Sequence, residues 1–153
     1  MAHRLTEYET LVMPDYGGFD LYDMDSDVRD NALTIPAYEH GAAGNGYEIC
    51  VVTKQTQVKV KLHIETWSGE PPLPHDWESY LALALEMPTG HLVISERTRG
   101  AWETVIPPGH YQARIAHRGR DLVQPAVIIT GRPEEVAHLE GVEEYLLQLW
   151  PRT

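Results

Sequence analysis

The chain has one cysteine and one phenylalanine among its 153 residues, half as many bases as acids, and no apolar run near the length of a bilayer. Each scarcity excludes something. The single thiol, Cys50, cannot close an intramolecular disulfide or build a thiolate-rich metal site. A membrane-spanning helix needs roughly 20 consecutive apolar residues, so no transmembrane segment is expected. The first ten residues carry one arginine and are interrupted by acids before an apolar stretch develops. That is unlike a secretory signal, and a cytoplasmic location is the expectation. Twelve Lys and Arg against 23 Asp and Glu leave a formal charge of −11, which repels phosphate backbones. Lys54, Lys59 and Lys61 lie together but form too small a patch to reverse this, so nucleic acid is not an expected partner. With only Phe19 against four Trp and eight Tyr, aromatic packing has to rely on rings that carry a polar edge.

What is present is period-two alternation. Val58, Val60, Leu62 and Ile64 alternate with Lys59, Lys61, His63 and Glu65, the pattern of a strand with one dry and one wet face. Residues 81–117 repeat the theme: Leu81, Leu83 and Leu85, a turn at Gly90, a second strand through Val93, a charged loop at 96–101, and strands from Trp102 and Tyr111. Tyr111, Ala113 and Ile115 are expected to face inward, with Gln112 and Arg114 outward. Further strands are expected at 8–13, 19–22, 47–53 and 125–130, with Pro125 protecting an edge. The segment from Tyr145 to Trp150 fits either a strand or a short helix, with alternating Tyr145, Leu147 and Leu149 favouring the strand. Pro133-Glu134-Glu135 can open a helical turn. Residues 29–46 show no period and read as an irregular excursion, in which the glycine-rich run 41–46 is a flexible turn without a phosphate-binding lysine. The expected fold is mainly β, a two-sheet antiparallel sandwich of jelly-roll type or a distorted β-barrel, in a single domain over residues 1–153.

The chemistry-bearing residues form several candidate groups. Asp23, Asp25 and Asp27 have the alternate spacing that can present oxygens to a divalent cation, with Asp20 and Asp30 nearby. A helix-flanked calcium loop would also need a glycine and an acid where the sequence has Val28 and Thr34. The same acids, with Glu134 and Glu135 near the other end, form an acidic surface suited to a basic protein partner. His63, His75, His91, His110 and His117 would make a metal site only if they converge, and no HxH or HExxH spacing brings any two together. Ser68, Ser79 and Ser95 lack a nucleophile-elbow setting, and no pair among Glu65, Glu78, Glu86 and Glu103 is fixed at a catalytic separation. Cys50, inside an apolar run, reads as a small buried hydrophobe. Trp67 and Trp77, on either side of Pro71-Pro72, are candidate ring platforms for a carbohydrate or peptide.

The runs Trp67-Ser68-Gly69-Glu70-Pro71-Pro72, Pro107-Pro108-Gly109-His110-Tyr111 and Tyr145-Leu146-Leu147-Gln148-Leu149-Trp150-Pro151 resemble those of small, uncharacterised bacterial β-rich proteins. The resemblance covers the chain from Trp67 onward, implies a β fold, and carries no activity and no catalytic residue. The sequence is therefore read as an acidic protein-interaction module, an inhibitor or immunity-type factor for a basic partner, and more a binder than an enzyme. A carbohydrate or small-ligand-binding β-domain and a small metal-dependent barrel enzyme are the alternatives.

Overall fold

Alternation decides most of the architecture. The computed structural model describes residues 1–27, 31–130 and 132–153. In chain order its elements are β1 (Arg4–Val12), β2 (Gly18–Asp23), α1 (Thr34–His40), β3 (Ala42–Gly44), β4 (Glu48–Val52), β5 (Val60–Trp67) and β6 (Glu78–Met87). There follow β7 (His91–Ser95), β8 (Ala101–Val105), β9 (Gly109–Arg118), α2 (Arg120–Thr130), α3 (Pro133–Val136) and β10 (Glu144–Pro151). Along β5 every second residue is buried, in the phase the sequence predicts. Tyr111, Ala113 and Ile115 of β9 are likewise buried. The segment left open between helix and strand is the strand β10.

The strands form two five-stranded sheets, ordered β1-β5-β10-β9-β6 and β3-β4-β2-β7-β8. All pairs in the second sheet are antiparallel, but β10 runs parallel to β5. The purely antiparallel expectation is thus corrected in one place. By filling the slot between β5 and β9 and running against β9, β10 is forced to run along β5. The two inner faces meet in one core, where Leu62, Ile64, Leu85, Leu147 and Leu149 face Phe19, Leu21, Ile49, Leu92 and Ile94. Phe19 meets the Tyr145 ring edge-on at 5.7 Å, so the one phenylalanine sits where the sheets touch. The sheets are joined at one seam by the Glu86 N–H donating to the Gly46 carbonyl at 2.7 Å. Among the described residues the opposite edges, β1 and β8, share no strand pairing, which gives a two-sheet sandwich and no closed barrel.

Two stretches depart from the sequence reading. Residues 125–130 belong to helix α2 rather than a strand, so Pro125 protects no sheet edge. Val123 is buried and Ala126 and Val127 pack beside it against Val58 and Val136, which is helical spacing. The β-branched run Val127-Ile128-Ile129 mimics a strand, but only its first member is packed inward. Within the excursion expected at 29–46, the described residues from 31 onward are more ordered than expected. They include α1, closed by Gly41 in the left-handed region with its N–H donating to the Ala37 carbonyl at 2.8 Å. Next comes β3, an edge strand where a flexible turn was expected. Leu33 and Ala37 pack on Ala43 and Cys50, which ties α1 to the outer side of the second sheet.

Candidate functional site

The second sheet carries a cleft of about 450 Å³ on its outer face. Its floor comes from Asp20 and Tyr22 of β2, Glu48 and Cys50 of β4, and Ser95 of β7. One wall is Thr34 and Tyr38 of α1; opposite it stand Tyr16 and Arg97. Tyr16 and Gly17 both have positive φ, 53° and 74°, and Asp15 and Gly18 exchange hydrogen bonds across them. This is a two-residue hairpin of the mirror-image type that suits twisted strands. The turn pushes the Tyr16 ring into solvent, where it is 83% exposed, while Tyr38 is 74% exposed.

Arg97 organises the floor. Its Nε donates to Asp20 Oδ2 at 3.0 Å, its Nη2 to Asp20 Oδ1 at 3.3 Å, and its Nη1 to the Asp15 carbonyl at 3.1 Å. Nη2 also lies 3.4 Å from Cys50 Sγ. The guanidinium fits because Gly18 has no side chain; a Cβ there would lie 2.8 Å from Arg97 Nη2 and 2.5 Å from the Val51 carbonyl. Burial alone would lower the Arg97 pKa, but hydrogen bonding and charge pairing with Asp20 raise it above its ordinary value. Burial, with Asp20 close by, pushes the Cys50 thiol up to about 11. Asp15 accepts from the Thr98 hydroxyl and, at 3.0 Å, from the Thr98 N–H, which holds its carboxyl below its ordinary value.

The sequence-level candidates fall in different places. Asp20 is in the cleft. Asp23 is fully buried, and its carboxylate accepts from the Asp25, Thr89 and Gly90 N–H groups and the Thr89 hydroxyl, locking the turn before β7. Asp25 and Asp27 are exposed, and Asp30 lies outside the described residues. Among the described residues no three His, Cys, Asp or Glu side chains gather around a metal position. Four of the five candidate histidines instead meet separate carboxylates, His63 with Glu144, His91 with Glu103, His110 with Glu86 and His117 with Glu78, while His75 is exposed.

Trp67 and Trp77 belong to the outer face of the first sheet, both half-buried. Trp67 Nε1 donates to Glu65 at 2.9 Å. The Arg118 guanidinium lies 4.1 Å over the Trp77 ring while donating to Glu144 at 2.7 Å, and His63 meets the same ring edge-on. A second chain runs from Glu65 through Gln148 to Arg114, whose guanidinium sits 5.1 Å over Trp150. These rings roof ion pairs and do not form a bare platform.

Glu134 and Glu135 are exposed on α3, which packs on α2. The outer side of α2 presents Leu122, Ile128 and Ile129, exposed at 68%, 73% and 81%, with Asp121 beside them. Sequence reasoning missed this apolar stripe because it read the segment as a strand. The spacing of Val123 and Val127, four apart, was the available signal.

No family model matches the sequence, and neither does any curated protein sequence. Two solved structures are similar. One is the crystal structure of ComJ, inhibitor of the DNA degrading activity of NucA, from Bacillus subtilis, at 15% identity and a TM-score of 0.65, with 99% of each chain covered. The other is the product of crocagin biosynthetic gene J, at 13% identity and a TM-score of 0.57, covering 100% of this chain and 99% of that one. The likeness is one of fold. It bears out the resemblance to small bacterial β-rich proteins and extends it through the amino-terminal third.

Proposed function

We propose that the chain is an acidic protein-interaction module of inhibitor type that binds a basic partner through the α2–α3 face. The observation that carries this reading is the likeness of fold over 99% of both chains to an inhibitor of a DNA-degrading protein. The α2 stripe supports it. Exposed Leu122, Ile128 and Ile129 make an apolar centre, and Asp121, Glu134 and Glu135 make a charged rim, which is the anatomy of a protein interface. A formal charge of −11 speeds encounter with a cationic surface and makes it sensitive to salt.

The test is capture on the immobilised chain from the source bacterium's lysate, then purification of the captured protein and titration of its own activity with the chain. The expected result is a basic protein held at fixed stoichiometry, with its activity suppressed as the complex saturates. Binding should weaken as salt rises, and should be lost in the double variant Ile128→Glu, Ile129→Glu. A captured protein that keeps full activity in the complex, or binds the double variant unchanged, overturns the reading.

A further inference from the structure

We propose that Asn45 is a self-modification site: the Gly46 backbone nitrogen attacks its side chain, and the succinimide so formed opens to aspartate or isoaspartate, the latter loosening the seam between the sheets. The inference stands apart from the partner-binding face on α2. It rests on the loop of three residues, 45–47, that joins β3 to β4. Of the two asparagines in the chain, Asn45 is the one followed by glycine. Asn31 is followed by Ala32, whose methyl group crowds the same approach.

The loop arranges both reacting groups. Asn45 is exposed, and its N–H donates to the Glu48 carbonyl at 3.2 Å, which holds the turn. Its side-chain Oδ1 accepts from the Tyr47 N–H and the Glu48 N–H, each at 2.9 Å. Two donors on one amide oxygen draw electrons from Cγ and face the atom on which negative charge grows when a nucleophile attacks. The nucleophile is the next backbone nitrogen. Among the described residues the Gly46 N–H donates to no acceptor, and Gly46 sits in left-handed backbone at φ 95° with open space where a side chain would be.

The step balances with water and hydroxide alone. Gly46 N gives its proton to hydroxide and forms a bond to Asn45 Cγ, whose carbonyl electron pair moves onto Oδ1. As that pair returns, the Cγ–Nδ2 bond breaks, and Nδ2 takes a proton from water and leaves as ammonia. Water then adds to one of the two ring carbonyls. Opening at Cγ gives aspartate on the original backbone. Opening at the main-chain carbonyl gives isoaspartate, in which the chain runs on through Cβ and Cγ and gains one backbone carbon.

The two products differ at the seam. Aspartate keeps an oxygen where Oδ1 was, so the Tyr47 and Glu48 N–H groups keep their acceptor. The added carbon of isoaspartate shifts Gly46, whose carbonyl accepts from the Glu86 N–H at 2.7 Å. Gly46 also bridges to Leu85, a fully buried core residue. The backbone link between the second sheet and β6 then loses its register.

The experiment is ageing of the folded full chain at pH 8, followed by peptide mapping with mass spectrometry, separation of the products and amide hydrogen exchange. Deamidation is expected at Asn45 and not at Asn31, with both aspartate and isoaspartate formed. Gly46→Ala should stay unmodified over the same period, because its methyl group crowds the attacking nitrogen. In the isoaspartate form the Glu86 N–H should exchange about fivefold faster than in the unaged chain, which is what the net loss of one hydrogen bond amounts to. Asn45→Asp, which stands for the other product, should exchange as the unaged chain does. Three results overturn the proposal: Asn45 left intact in the folded chain over a period in which it converts in denaturant, Gly46→Ala ageing as fast as the native chain, or unchanged Glu86 exchange in the isoaspartate form. Failure to capture a protein partner would leave these outcomes unaffected.

Discussion

The outer faces of the two sheets start from the same alternation and end differently. On the first sheet the outward positions of β5, β9 and β10 are long and mutually complementary. Glu65, Gln148 and Arg114 form one chain, and His63, Glu144 and Arg118 form another, each roofed by a tryptophan. On the second sheet the outward positions include Cys50, Val52 and Ser95, too short to cover the face, and one arginine reaches in from a loop. A sheet face that spends its polar groups on each other is sealed. One that leaves space beneath a helix keeps aromatic and charged atoms within reach of something else.

The sharpest way to break this contrast is to fill the floor of the cleft. Gly18→Ala places a Cβ 2.5 Å from the Val51 carbonyl, a backbone atom that cannot swing away. Chemical denaturation should register a loss of about 3 kcal/mol, the upper part of the overpacking range. Next is Arg97→Met, which leaves Asp20 without its partner. The two side chains are 26% and 20% exposed, so the expected cost is discounted from that of a fully buried pair to about 2 kcal/mol. On the sealed face Arg118→Met should cost less, roughly 1 kcal/mol, because the methionine still covers Trp77 and only the charge and the ion pair to Glu144 are lost. If Arg118→Met proved the costlier of the two arginine variants, the sealed face would be the one held under tension and the contrast would reverse.

What could be read beforehand follows the same division. The strand phase of Val60, Leu62 and Ile64 was legible because burial in a strand depends on neighbours two residues away. The parallel pairing of β10 was not, because it depends on which slot the last strand fills. Residues 125–130 were misread because β-branched side chains suit a strand by local preference, while tertiary packing accepts only Val123, Ala126 and Val127. The cleft was invisible for a different reason. Asp20 and Arg97 are 77 positions apart, and their meeting depends on β7 pairing with β2 and on the missing side chain of Gly18. Asp23 looked like a cation ligand from its spacing, yet its hydrogen-bond donors at Thr89 and Gly90 lie 66 and 67 positions away.

Acid should probe the seam between the faces. His117 Nδ1 is buried without a hydrogen bond, and Gly41 beside α1 approaches the ring. Burial, then the charge of Arg120 and to a lesser degree Lys54, lower the His117 pKa from 6.5 to about 4, with Asp121 opposing. Glu78 lies 3.8 Å from Nδ1. The folded value is the lower one, so between pH 6.5 and about 4 the unfolded chain takes up a proton that the native state refuses, and stability falls with falling pH. His117→Gln should flatten that slope. Glu144 behaves separately: burial would raise it, but hydrogen bonds from Arg118 and His63 hold it below 4.5, so its contribution is complete above 4.5 and lost at lower pH. A variant whose stability still falls between pH 6.5 and 4 as the native chain's does would remove His117 from the account.

The smallest effect concerns reactivity alone. Cys50 sits on the cleft floor within 3.4 Å of a guanidinium, a neighbour that by itself favours a thiolate, yet burial and Asp20 prevail and the thiol is raised to about 11. Against an ordinary value of 9.0 this leaves about a hundredfold less thiolate at pH 8. Iodoacetamide should therefore label the folded chain about a hundredfold more slowly than the chain in denaturant, apart from any further steric slowing. Labelling within about tenfold of the unfolded rate would mean that Arg97 outweighs burial, and the floor would have to be reconsidered as a nucleophile's setting. The slow outcome sharpens the contrast between the two faces: the second sheet is open in space, yet its one thiol is chemically quiet.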